Sequence, residues 1–191
     1  MFKKIILYLI LGVIILLGYI GIKTITAPNL QRKIKYVPAP ELTENAVQHF
    51  RQAIQIKTVS YDNPTQWDSL PFMQFRQFLE KTYPLVHQHL DREIINGYSY
   101  LYQWKGKNPA LAPYILMAHQ DVVPIEEKTR NLWTCEPFGG TIKDGYIWGR
   151  GTTDDKINLI SILESAEKLL QQGFQPQRTI YFSFGHDEEI S

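Results

Sequence analysis

The run from Ile5 to Ile22 contains no charged residue, and Lys3 and Lys4 precede it while Lys23 closes it. Those 18 residues, at ~1.5 Å each, make ~27 Å of helix, close to the thickness of a bilayer core. A segment with no polar side suits lipid, a secretory signal or a deeply buried helix. The run exceeds the usual apolar core of a signal peptide, and no clear Ala-x-Ala cleavage site follows it. The expectation is a transmembrane anchor over residues 1–23, with secretion after signal cleavage as the alternative. Lys3 and Lys4 favour a cytoplasmic N-terminus with the remainder extracytoplasmic. Lys23, on the far side, pulls weakly the other way.

Residues 24–40 read as a stalk or linker, with Pro28, Pro38 and Pro40 among polar and basic residues and no sustained periodicity. Residues 41–191 read as a folded domain. Thr43 is a plausible N-cap for a helix whose apolar face is Ala46, Val47, Phe50, Ala53 and Ile54. Pro71 can open a second helix with Phe72, Phe75, Phe78 and Leu79 inward, and Pro84 is expected to end it. Strands are predicted over Tyr98–Trp104, Tyr114–Ala118, Tyr146–Trp148 and Thr179–Phe184. The two runs from Tyr114 and Thr179 are apolar enough to be buried on both faces. A helix is predicted over Asp155–Gln172, with Gly173 as its natural stop. Strands alternating with helices imply an α/β layered fold.

The formal net charge is +1 and charged residues make up 20% of the chain, so nothing calls for a nucleic-acid partner. The single cysteine, Cys135, excludes an internal disulfide framework and is expected to be partly buried and inert. Oligomeric state is left open by the sequence.

Three polar clusters follow predicted buried strands: His119-Gln120-Asp121, the segment Gly149 to Lys156, and Asp187-Glu188-Glu189. In open α/β sheets, ligands gather at the carboxyl ends of strands, so all three clusters are expected at one edge of one sheet. Imidazole and carboxylates collected there suit a metal such as zinc. The pattern Gly149-x-Gly151 with Lys156 lacks the spacing of a phosphate loop and the third glycine of a dinucleotide fingerprint. Its glycines are better explained as a tight turn that presents Asp154.

The runs Met117-Ala118-His119-Gln120-Asp121-Val122-Val123-Pro124, Trp148-Gly149-Arg150-Gly151-Thr152-Thr153-Asp154-Asp155-Lys156 and Ser183-Phe184-Gly185-His186-Asp187-Glu188-Glu189-Ile190-Ser191 together resemble the co-catalytic zinc peptidases. That family includes carboxypeptidase S, aminoacylase and glutamate carboxypeptidase. The paired aspartates before Lys156 are most similar to carboxypeptidase S and the N-acyl-amino-acid hydrolases. The resemblance spans about Leu42 to Ser191 and includes Trp133, Pro137 and Phe138. It implies a three-layer catalytic domain with two zinc ions, acting on a small peptide or N-acyl amino acid. By the same resemblance His119 binds one zinc, Asp154 bridges both and Glu189 binds the second. Asp121 and Glu188 are the catalytic candidates, Asp121 by fixing the His119 ring and Glu188 as general base.

The family pattern continues beyond the third motif with a further Asp ligand, a lid domain and a late His ligand. This chain is therefore expected to be the N-terminal portion of such a catalytic domain, without the C-terminal part and lid. A membrane-tethered remnant without activity is the competing expectation. His49, His87, His89 and His186 do not match the remaining ligand positions, and His87-x-His89 is expected to be a solvated pair at a helix end. An apolar edge left open is expected at the strand ending in Phe184.

Overall fold

The computed structural model describes residues 2–28, 36, 38 and 41–190. Most of the expected stalk, and Ser191, lie outside the described residues. The chain divides into two compact units, Met1–Pro40 and Glu41–Ser191. In the first, helix α1 spans Phe2–Ile25 and buries none of its residues. It is the one helix among the described residues long and apolar enough to cross a membrane, a test that an N-terminal signal sequence also passes.

The second unit opens with α2 (Glu44–Gln55), where Thr43 is extended and its hydroxyl accepts from the Ala46 N–H at 3.1 Å. That bond satisfies one orphan donor of the first turn. α3 (Leu70–Thr82) begins with Pro71 in its first turn and buries Phe72, Phe75 and Leu79. Pro84 ends α3, as its missing N–H requires, but it also opens a short helix α4 (Pro84–His89). His87 is therefore not a solvated residue. Its Nδ1 lies 2.8 Å from the Tyr83 carbonyl and its Nε2 lies 3.0 Å from the Tyr102 hydroxyl.

Strand β1 (Asp91–Ile95) pairs antiparallel with β2 (Ser99–Trp104). The turn between them contains Asn96 at φ 52° and Gly97 at φ 81°, the left-handed pair that a tight hairpin needs. β3 (Tyr114–His119), the hairpin β4 (Thr141–Lys143) and β5 (Tyr146–Trp148), helix α5 (Lys156–Gln171) and β6 (Ile180–Gly185) complete the unit. The main sheet has the order β1-β2-β6-β3, while β4 and β5 form a separate ribbon. β6 runs antiparallel to β2 and parallel to β3.

One face of the sheet presents Tyr100, Tyr102, Trp104, Phe182 and Phe184 to the buried faces of α2, α3, α4 and α5. Burying such aromatic and aliphatic side chains contributes roughly 1.5–3 kcal/mol each. The opposite face is open among the described residues, which make two layers, a part of the three-layer domain that the resemblance implies. Ile115 and Met117 on β3 are 60% and 74% exposed. β3 is thus not buried on both faces, because no described element covers the face of Ile115 and Met117, and it lies at the sheet edge among the described residues. The open apolar edge lies on β3, not on the strand ending at Phe184, which is held on both sides.

Candidate metal centre

Parallel pairing of β3 with β6 sets His119 opposite Gly185. The Gln120 N–H continues the ladder, donating to the Gly185 carbonyl at 2.9 Å. The chain leaves both strands at the same end, which brings His119-Gln120-Asp121 beside the short turn Glu188–Ile190. The second cluster, Gly149 to Lys156, arrives by another route. β5 belongs to the separate ribbon, and Asp154 lies on the turns between β5 and α5. Gly151 in these turns has φ 87°, and a Cβ there would meet Val122 Cγ1 at 2.9 Å. Both the backbone angle and the close approach require glycine.

His119 is 7% exposed and Asp121 is fully buried. His119 Nδ1 lies 3.0 Å from the Asp121 carbonyl oxygen and 3.3 Å from Asp121 Oδ1. A carbonyl only accepts, so Nδ1 carries a proton and donates. His119 Nε2 faces outward, 2.9 Å from Asp154 Oδ1 and 3.8 Å from Glu188 Oε2. His119, Asp154 and Glu189 each offer a ligand atom, and these atoms lie within 4.8 Å of one another.

The Asp121 carboxylate has more partners than its ring contact. Oδ2 accepts from Ser60 Oγ at 2.6 Å and from the Glu189 N–H at 3.1 Å, and Oδ1 accepts from the Glu188 N–H at 3.3 Å. Burial pushes this carboxyl up, but hydrogen bonds from His119, Ser60 and the Glu189 N–H outweigh it and hold the pKa below the ordinary aspartate value. Burial pushes His119 down, and hydrogen bonds to Asp121 and Asp154 overcome it, raising the pKa to about 9. Burial, then the neighbouring Asp154 charge, pushes Glu189 up. The site thus concentrates negative charge around one imidazole nitrogen. One nitrogen and two carboxylate oxygens within 4.8 Å of one another form a donor set that fits a divalent metal ion.

Lys156, also in the second motif, is fully buried. Its ammonium donates to the Ala53 carbonyl at 2.9 Å and the Ile56 carbonyl at 2.5 Å, at the C-terminal end of α2. It is committed to backbone and does not serve a phosphate. The Arg150 guanidinium lies over the Trp133 ring, 5.2 Å from its centre, and the Arg150 backbone N–H donates to the Pro137 carbonyl at 2.6 Å. Sequence reasoning missed Thr58, Ser60 and the role of Lys156. The alternation Thr58-Val59-Ser60 was the available signal, with the two hydroxyls on one side of an extended segment.

Residues 115–191 match the family described as Peptidase family M20/M25/M40. Over 98% of its length the chain is 41% identical to "Probable carboxypeptidase S-like 2" of Dictyostelium discoideum, covering 37% of that protein. It is 38% identical over 95% of its length to "N-fatty-acyl-amino acid synthase/hydrolase PM20D1" of Xenopus tropicalis, covering 36% of it. Against carboxypeptidase S of Saccharomyces cerevisiae it is 40% identical over 80% of its length, covering 28% of that protein. The chain therefore spans about a third of the length of these curated relatives. The fold matches a metallo-carboxypeptidase of Sulfolobus solfataricus with a TM-score of 0.59 at 20% identity, covering 78% of this chain and 32% of that one. It matches human carnosine dipeptidase 1 with a TM-score of 0.58 at 19% identity, covering 76% and 32%. On its three motifs, its mixed sheet and these relatives, the chain belongs to the M20/M25/M40 peptidase family.

Proposed function

We propose that this protein contributes to a metal-dependent hydrolase that cleaves a peptide or N-acyl amide bond next to a free amino-acid carboxylate. The observation that carries this is the convergence of His119, Asp154 and Glu189 to within 4.8 Å. Zinc is the metal we assign, because imidazole with carboxylates is its common ligand set. His119 would bind through Nε2, and Asp154, with its side chain 75% exposed, has a second oxygen to share with a second ion. Bound zinc supplies an acidified water and polarises the scissile carbonyl.

The protein's own groups would do the rest. Asp121 and its backbone carbonyl hold the His119 ring with Nε2 outward, and the same carboxylate pins the N–H groups of Glu188 and Glu189. Glu188 reaches toward the same point, with Oε2 3.8 Å from His119 Nε2. It would take a proton from the attacking water at Oε2 and return it to the leaving nitrogen. The substrate class follows the names of the relatives, which span carboxypeptidases and an N-fatty-acyl-amino acid hydrolase. α1 would serve as an uncleaved anchor, with the catalytic unit on the extracytoplasmic side. Its retention in membranes after a high-salt wash tests the anchor.

Turnover of N-acyl amino acids and dipeptides, measured beside metal content, tests the chemistry. Glu188→Gln is expected to keep its metal and lose about 10²- to 10⁴-fold in rate. Glu189→Gln is expected to lose both. Both variants and the wild type are assayed in the complete enzyme that contains this chain: near-normal turnover by Glu188→Gln there would remove the base assignment, and a metal-loaded complete enzyme inactive on every amide would refute the hydrolase.

A further inference from the structure

We infer that Ser60 is a positioning residue for the candidate metal centre, acting through Asp121. This rests on the metal assignment above. Asp121 is surrounded by groups that themselves need a reference point. His119 is the ring to be aimed, and the Glu188–Glu189 backbone is the turn to be held. Ser60 is different, because its place is fixed from another part of the chain.

A short parallel bridge joins Val59 to Val122. The Val122 N–H donates to the Thr58 carbonyl at 3.0 Å, and the Ser60 N–H donates to the Val122 carbonyl at 3.2 Å. Thr58 Oγ1 donates to the Gln120 carbonyl at 2.5 Å. Thr58 and Ser60 are both fully buried. The segment is anchored at its start as well, where the buried Lys156 ammonium grips the Ala53 and Ile56 carbonyls. Ser60 therefore presents its hydroxyl from a fixed backbone. Its 2.6 Å bond to Asp121 Oδ2 is shorter than the bonds that the carboxylate accepts from the Glu188 and Glu189 N–H groups. A carboxylate turns about one soft side-chain torsion. With Oδ2 held by Ser60, Oδ1 is left facing His119 and the Glu188 N–H. Loss of the hydroxyl would free that torsion and loosen both the imidazole and the glutamate turn together.

A buried serine could serve folding alone, so the test reads the metal site through Asp121. The full chain in detergent micelles is titrated with Co²⁺, which reports on its ligands by visible absorption. Ser60→Ala is expected to bind Co²⁺ about 10- to 100-fold more weakly, the range typical of partners that orient metal ligands. Ser60→Thr, which keeps the hydroxyl, is expected to recover most of that loss. In an Asp121→Ala background, Ser60→Ala is expected to add little further loss, since the side chain it acts on is gone. If Thr proves too large for the buried position, this cycle decides. Wild-type affinity in a folded Ser60→Ala variant, or an equal loss in both backgrounds, would overturn the inference. His119→Ala separates the two levels. If it binds Co²⁺ as tightly as wild type, the metal assignment falls and the Ser60 inference falls with it. If His119→Ala loses binding while Ser60→Ala does not, the Ser60 inference alone fails.

Discussion

His119 and His87 show how the same side chain is set to opposite states by its neighbours. His119 has acceptors at both ring nitrogens, the Asp121 carbonyl and the Asp154 carboxylate, which favours the charged ring. His87 has an acceptor at one nitrogen and a hydroxyl at the other. Its Nδ1–H donates to the Tyr83 carbonyl, so Nε2 is left to accept from Tyr102. Burial lowers the His87 pKa, the bond to Tyr83 opposes it, Arg92 lowers it further, and Glu80 and Glu167 oppose. The net direction is below the ordinary value. The unfolded chain then binds more protons than the folded one below about pH 6.5. Stability from His87 is present above that pH and is lost as pH falls through the folded value. Urea unfolding at pH 7.5 and pH 5 is expected to show a larger loss for wild type than for His87→Gln. Identical losses would show that His87 titrates alike in both states.

At the scale of elements, local chemistry decided what could be read from the sequence. The Thr43 cap, the Pro71 start and the Gly173 stop are written in single residues whose physics is local, and α2, α3 and α5 follow them closely. Asn96-Gly97 carried an equally local hairpin signal, yet β1 went unread because Asp91 to Ile95 is short and mostly polar at its start. Residues 114–118 are apolar enough to imply burial, but burial depends on which strands flank β3, and that is set by topology. The three motifs exposed the candidate ligands because metal chemistry restricts residue types. Ser60 and Thr58 stayed hidden because their role comes from a bridge to Val122 about sixty residues away, which no short-range pattern records. For α1, length and composition are legible in the sequence, and an anchor and a signal sequence share them. If α1 is an anchor, high salt leaves the protein in the membrane pellet and detergent releases it. A product that is released without detergent and begins beyond Lys23 would identify a cleaved signal instead.

For the whole molecule, the sheet of the Glu41–Ser191 unit is covered on one face among the described residues. Helices close one face of the sheet, and Ile115 and Met117 lie open on the other among the described residues. The curated relatives are about three times as long as the part this chain matches. What the chain does carry is a site in which parallel pairing of β3 and β6, the turns after β5 and the Thr58–Ser60 segment meet around Asp121. These features unite in the proposal that His119, Asp154 and Glu189 are metal ligands. Zinc-edge X-ray absorption of the zinc-loaded full chain tests it most directly. The expected first shell is nitrogen and oxygen at ~2.0–2.2 Å, including an imidazole signature that disappears in His119→Ala. A sulfur shell at ~2.3 Å, which would place zinc on Cys135, or a shell unchanged by His119→Ala, would contradict it.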